Sequence, residues 1–477
     1  MNDLTMATMK GNNITIPGDV VETLATGLRG ELLSPGSLGY DDVRTIWNAM
    51  IDRRPGMIVE CTGAADVIKA VDFAREHDLL VSVCGAGHNI AGNAACDGGM
   101  MISLGNMRSV RVDPTAKRAW VQPGVTLGDL DSETQAHGLA VPVGINSTTG
   151  IAGLTLGGGF GWLSRKYGLT IDSLISADVV TANGDMVRAS ETENADLFWG
   201  IRGGGGNFGI VTEFEFALHA VGPEVMAGLI VHPFRDAKEI LKYYRDFTTQ
   251  APEELTVWVV MRKAPPLPFL PEQVHGTDVL VLAAMYAGDM AAGERALAPL
   301  RKLGNPIADV ISPHQFTDFQ SAFDPLLTPG ARNYWKSHDF LELSDGLLET
   351  LVASVHKLPD SQCEVFIAHM GGATNRVPAD ATAYRHRDAE FIMNVHGRWA
   401  DPKADEKCIA WCRELFNEAT PYATGGVYVN FMTEEETQRV EDAYGDSYKR
   451  LVELKNKYDP TNMFRLNQNI RPAASTQ

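Results

Sequence analysis

The sequence predicts an α+β protein of two domains, on three observations. A chain of 477 residues is longer than one ordinary core supports. Its glycine clusters, Gly85–Gly92, Gly150–Gly161 and Gly203–Gly209, all lie in the first half. Beyond about residue 220, longer apolar strands alternate with amphipathic helices, as in an antiparallel sheet covered by helices on one face. The boundary is placed at Gly222.

The elements follow in order. "DVVETLATGLRG" carries a short apolar helix pattern, and "SPGSLGYDD" reads as a loop. "PGMIVEC" is a strand, and "AADVIKAVDFAREHD" spaces its apolar residues three and four apart, as an amphipathic helix does. "LLVSV" is the next strand and runs directly into "CGAGHNIAG", a glycine loop around His88. "GMMISLG", "SVRVDP" and "RAWVQPG" are short strands between turn residues, and "TLGDLDSETQAHG" is a helix. "LISADVVTANGDMVRAS" is a strand pair closed by an Asn-Gly turn. In the second half, "VMAGLIVHPF", "LTVWVVMRKA", "DVLVLAAMYAG", "CEVFIAHMGG" and "AEFIMNVHGRW" read as strands. "AKEILKYYRDF", "GERALAPLRKLG", "DGLLETLVASVHKL" and "EKCIAWCRELFNEA" read as the covering helices. Cys408 and Cys412, four apart, are expected on one buried helix face.

Composition narrows the function. A formal net charge of −19 disfavours nucleic-acid binding, which needs basic stripes. No apolar run reaches the roughly 20 residues that span a bilayer, and the first residues lack a secretory apolar core. The cysteines show no zinc-finger spacing, so no metal is expected. The expectation is a soluble, cytoplasmic protein with no membrane partner.

Glycine clusters let backbone N–H groups approach phosphates, because no Cβ intervenes. Three clusters, with Gly124 as a fourth close-approach point, suggest one large ligand wrapped by main chain. "GGGNFG" at Gly204–Gly209 fits a dinucleotide G-x-G-x-x-G, but the strand "IVTEFEF" follows where a helix is required. Neither a phosphate-loop Lys-Ser/Thr, a two-histidine zinc helix nor a G-x-S-x-G elbow is present.

The blocks "GAGHNIAG", "STTGIAGLTLGGGFGWLSRKYGLTIDSL", "DLFWGIRGGGGNFGIVTEFEF", "YVNF" and "YDPTNMFRLNQNI" together resemble the FAD-linked oxidases of the vanillyl-alcohol oxidase and p-cresol methylhydroxylase (PCMH) type. Within these the chain is most similar to bacterial members of the berberine-bridge-enzyme-like family, over about residues 35 to 472. The resemblance implies a PCMH-type FAD-binding domain over 1–221, completed by 430–477, and a substrate-binding domain over 222–429. It implies hydride transfer from a small alcohol, sugar, amine or biosynthetic intermediate to flavin N5, with molecular oxygen as acceptor and hydrogen peroxide as product. A dehydrogenase with another acceptor, and a flavin-binding protein without turnover, remain alternatives.

The resemblance also assigns residues. His88 stands where the family joins its flavin covalently. Asn146 occupies the place of a second, cysteine linkage and cannot form it, so a single covalent bond is implied. Thr149 lies at the position that affects oxygen access. The loop residues Cys84, Gly85, Ala86, Gly87, Asn89 and Gly92 are implied in cofactor binding, and Cys84 departs from the usual arginine. Gly124, Gly150, Gly153, Leu154, Gly158, Gly159 and Trp162 are assigned to the pyrophosphate and ribitol. Gly205, Gly206, Gly209 and Val211 are assigned to the adenosine or ribityl side. Tyr428 and Asn430, the Y-x-N element, are implied as catalytic and cofactor-binding residues and would share one face of a strand toward the flavin–substrate cavity. Tyr428 is a candidate base if neighbouring donors lower its pKa from about 10. His338, His369 and His396, on roof strands, are candidate substrate contacts. Met261, Met370, Met393, Trp258 and Trp399 either face an apolar ligand or are plain core.

Overall fold

The computed structural model describes residues 1–473. Three sheets organise them. In the first, Val81–Cys84 and Met57–Glu60 both pair parallel with Met100–Ser103, and Glu31–Leu33 adds an antiparallel edge. Parallel pairing needs a crossover, and the helix Ala64–Glu76 supplies it, burying Val67, Ala70, Val71 and Ala74 completely. The second sheet is antiparallel, in the order Met186–Ser190, Leu174–Val180, Ile210–Ala217, Arg118–Val121, Val110–Asp113. Its first hairpin turns at the expected Asn-Gly, with Gly184 at φ +83°.

The third sheet has eight strands, all antiparallel. Its central order is Glu224–Pro233, Asp278–Tyr286, Leu255–Lys263, Glu364–His369, Phe391–Trp399, Arg332–Phe340. Strand alternation divides its residues between two faces. Val257, Val259, Met261, Val365, Ile367, Met393 and Val395 form one core with residues of the helices Ala237–Thr248, Asp345–Val355 and Asp405–Ala419. Cys408 and Cys412 are buried in that core, as their spacing predicts. The opposite face carries Trp258, Val260, Arg262, Glu364, Phe366 and His396, which look into a cleft between this sheet and the first half of the chain.

The C-terminal segment packs with the second sheet. Val427, Tyr444, Leu451 and Leu454 share a core with Phe208, Phe214 and Phe216. Lys455, fully buried, donates to Asn207 O at 2.8 Å, Asp459 Oδ2 at 2.7 Å and Phe464 O at 3.0 Å. One ammonium thereby ties the tail to the third glycine cluster.

One local reading needs correction. "GGVYVNF" is not a strand: Val429–Phe431 is a 3₁₀ turn closed by Phe431 N–H donating to Tyr428 O at 2.9 Å. His338 does lie on a strand, Arg332–Phe340, most of whose buried positions are polar: Asn333, Lys336, Ser337, His338 and Asp339.

A buried contact joins the two halves. Asp131, on the helix Leu127–Gln135, accepts from Gln320 Nε2 at 3.0 Å, while Asp131 Oδ1 and Gln320 Oε1 have no partner. Burial raises the Asp131 pKa to about 7. The protonated acid can donate to the orphan amide oxygen. Because the folded pKa lies above the unfolded one, this stability is full below about pH 4 and is lost as pH rises through about 7. The shift from 3.8 to about 7 corresponds to about 4 kcal/mol. Asp131→Asn is uncharged at every pH and keeps an acceptor for Gln320 Nε2. It should raise the melting temperature at pH 8 and leave it nearly unchanged at pH 4; an equal change at both pH values contradicts the assignment.

Candidate functional site

The cleft holds about 400 Å³ and is floored by the loops the glycines permit. Gly85, Ala86, Gly87, His88 and Asn89 line it after the strand Val81–Cys84. Thr149, Gly150, Gly153, Leu154 and Trp162 line it too, as do Gly205, Gly206, Gly209 and Val211. Asn467 and Gln468 of the returning tail join them. A Cβ added at Gly153 or Gly206 meets nothing within 4 Å. At these two positions the missing side chain leaves room for a ligand rather than for protein.

His88 is held by two contacts. Its ring stacks on Trp47, with centroids 5.2 Å apart, and its Nε2 lies 3.0 Å from Thr148 Oγ1. Thr148 Oγ1 also lies 2.8 Å from Asn146 Oδ1; with its proton on that oxygen it accepts from the imidazole Nε2–H. In that tautomer Nδ1 carries the free lone pair. Burial lowers the His88 pKa to about 4, so the ring is neutral near pH 7. A neutral imidazole with one unshared lone pair is a nucleophile.

Tyr428 and Asn430 meet despite lying on a turn. The Tyr428 oxygen accepts from Asn430 Nδ2 at 2.9 Å and from the Gly159 N–H at 3.1 Å. Both donors lower its pKa, but burial outweighs them and pushes it up to about 12. The phenol is therefore protonated at neutral pH. The expected lowering does not occur, and with two donors on the oxygen its own proton is free for a partner in the cleft.

The roof presents a polar row across neighbouring strands. Arg262 faces Glu364, and Glu364 faces His396. Arg262 Nη1 lies 2.6 Å from Glu364 Oε2, and His396 Nδ1 lies 3.3 Å from Glu364 Oε1. Burial opposes the Glu364 charge, but Arg262 and His396 prevail and hold its pKa at about 2. Burial lowers the His396 pKa, against the opposing effect of Glu364.

Several expected residues lie elsewhere. His338 is on the helix-covered face, where its ring stacks on Phe416 with centroids 4.1 Å apart. His369 is on the same face, 2.7 Å from Arg165 Nη1 and against Phe391. Met261, Met393 and Trp399 are in that helix-covered core, and Met370 is buried in a neighbouring one, while Trp258 does line the cleft. Cys84 points into a small core with Tyr40, Ile46 and Met101, and burial raises its thiol pKa to about 12. Gly92 sits against Ile51, Gly124 against the Leu104 carbonyl, and Gly158 against Tyr384. These glycines and Gly159 satisfy packing or backbone needs behind the lining.

Sequence reasoning missed Trp47, Arg262, Glu364, Trp335 and Phe366. Arg262 breaks the apolar alternation Trp258, Val260 on one strand face, which is a usable signal. Its pairing with Glu364 depends on sheet order, which the sequence does not display.

The cleft fits an FAD. It is floored by glycine-loop backbone and open at two glycines, and polar side chains such as Asn89, Thr149, Asn467 and Gln468 line it. His88, Thr149, Gly153, Gly206 and Asn467 would hold it. Comparison with known proteins agrees. A family described as FAD binding domain matches residues 55–190, and one described as berberine and berberine like matches residues 427–471. An FAD-linked oxidoreductase of Dictyostelium discoideum is 31% identical, covering 97% of this chain and 99% of that protein. The (R)-6-hydroxynicotine oxidase of Paenarthrobacter nicotinovorans is 31% identical, covering 95% of this chain and 99% of that protein. The crystal structure of 6-hydroxy-D-nicotine oxidase from Arthrobacter nicotinovorans superposes with a TM-score of 0.83 at 29% identity, covering 93% of this chain and 98% of that one. Among the described residues no helix is long and apolar enough to cross a membrane.

Proposed function

The chain belongs to the berberine-bridge-enzyme-like FAD-linked oxidoreductases, and on that premise we propose that it is an oxidase of a small organic molecule, using oxygen and carrying FAD on a single bond to His88. Bound FAD supplies the two-electron acceptor for a hydride from substrate carbon. The protein's part is to hold, orient and exclude water. His88 offers Nδ1 as the point of attachment, since Thr148 occupies Nε2. Asn146 orients Thr148 and, lacking a thiol, adds no second bond. Tyr428 gives its proton to an acceptor in the cleft while Asn430 and Gly159 fix its oxygen. Thr149, a small polar residue, lines the cleft on the route proposed for oxygen.

The observation that carries this reading is the neutral His88 with one free lone pair, at the edge of a glycine-floored cleft. Thr148→Val removes the acceptor for Nε2–H and should lower the covalently bound fraction of FAD several-fold while total FAD stays near wild type. An unchanged covalent fraction contradicts the tautomer argument. For the reaction itself, alcohols, sugars and cyclic amines are added without air and the flavin absorbance is followed. A substrate bleaches it, and admitting air restores it with release of one peroxide per turnover. Slow return in air contradicts oxygen as acceptor and favours a dehydrogenase.

A further inference from the structure

The roof of the cleft shows what it would admit. Of the residues lining it, Arg262 and Glu364 alone carry charge, and they are paired. The carboxylate is fully engaged: Arg262 holds Oε2, and His396 faces Oε1. Behind them Arg398 is buried and bonds neutral groups only, Thr328 O at 2.6 Å and Asn333 Oδ1 at 3.4 Å. Two guanidinium groups therefore stand against one carboxylate, leaving the roof with one excess positive charge. An entering ammonium would find no uncommitted carboxylate and would be repelled by that excess.

Next to the polar row, the roof is hydrocarbon. The adjacent row runs Val281, Val260 and Phe366 in register, with Leu229 and Val231 beyond; it continues to Asn394 and Ser337, which are buried and do not line the cleft. The segment between the strands Leu255–Lys263 and Asp278–Tyr286 adds Pro265, Leu267, Phe269 and Leu270, and Leu326 and Leu327 face the same cleft. Phe269 is 37% exposed, an aromatic ring left at the rim. Sugar hydroxyls placed along this wall would lose water and gain no partner, at about 1–3 kcal/mol for each group left unmade. Arg262 directs Nε to Lys263 O and Nη1 to Glu364, and its Nη2, without a hydrogen bond among the described residues, is left to the cleft.

We propose that the substrate is a mainly apolar molecule, uncharged or carrying a carboxylate, whose acceptor oxygen meets Arg262, and that protonated amines and oligosaccharides are excluded. This rests on the oxidoreductase reading for the place of the substrate, but not for its chemical class. Binding to the oxidised, FAD-loaded protein is therefore the test, read by perturbation of the flavin spectrum and by melting temperature, with no turnover required. The probes are 4-phenylbutanol, 4-phenylbutyrate, 4-phenylbutylamine and chitotriose. The alcohol and the carboxylate should bind at least tenfold more tightly than the amine, and chitotriose should give no shift. The triple variant R262Q/E364Q/R398Q, which removes both guanidinium groups and the carboxylate together, should lose the carboxylate-over-amine preference while still binding the alcohol. Amine binding equal to or tighter than carboxylate binding, binding of chitotriose, no binding by any phenyl probe, or a preference unchanged in the triple variant would overturn the proposal.

Discussion

Gly206→Val yields a folded protein that no longer retains FAD. A Cβ at this position meets no protein atom within 4 Å, and Gly206 does not have a positive φ, so valine strains nothing. Its methyl groups instead enter the cleft that Gly206 lines. The cost falls on the cofactor: the backbone can no longer approach it closely. The expected preparation is colourless, with the circular dichroism of the wild type and a lower melting temperature, because a ligand that binds only the native state no longer stabilises it. Gly209→Val provides the contrast. There a Cβ meets Val179 Cγ1 at 2.6 Å and Val180 O at 2.7 Å, on a residue at φ +158°. That variant should fail to accumulate as folded protein. A yellow Gly206→Val protein with full FAD content would mean the cofactor lies elsewhere.

The second large effect is on the rate. Tyr428→Phe removes one oxygen and leaves the buried Gly159 N–H without its acceptor, while Asn430 Nδ2 keeps Gly153 O and Leu154 O, each at 3.3 Å. It also removes the proton that Tyr428 offers to the cleft. The kcat should fall by about 10²-fold, the usual scale for losing a positioned proton donor. FAD content should not change, since the phenol is not among the groups that floor the cofactor. The resting phenol has a pKa of about 12, so the wild-type kcat should not titrate through Tyr428 below about pH 11. An unchanged kcat in Tyr428→Phe would remove Tyr428 from the reaction.

Much of this architecture is legible because period-two alternation survives in the long strands. Val257, Val259 and Met261 against Trp258, Val260 and Arg262 already separate the two faces of a sheet. What the alternation leaves open is which face meets the helices. His338, His369 and His396 look alike in sequence, yet only His396 falls on the cleft side, because of its place in the alternation of its strand. Tyr428 and Asn430 are brought together by a 3₁₀ turn, for which a two-residue spacing gives no cue. Arg262, Glu364 and His396 come from three separate segments, and only sheet order sets them in a row. Glycine loops are easier to read: the clusters mark close backbone approach, and the resemblance assigns Gly85, Gly87, Gly150, Gly153, Gly205 and Gly206, all of which line the cleft. Gly124 and Gly158, chosen on the same grounds, instead make room for protein, and composition alone does not distinguish the two uses.

Denaturing the yellow protein in acid tests the proposed single covalent bond between His88 and FAD. The colour should stay with the precipitated chain, and after proteolysis one flavin should be found on the peptide containing His88 and none on the peptide containing Asn146. Free FAD in the supernatant, with an unmodified His88 peptide, would contradict it.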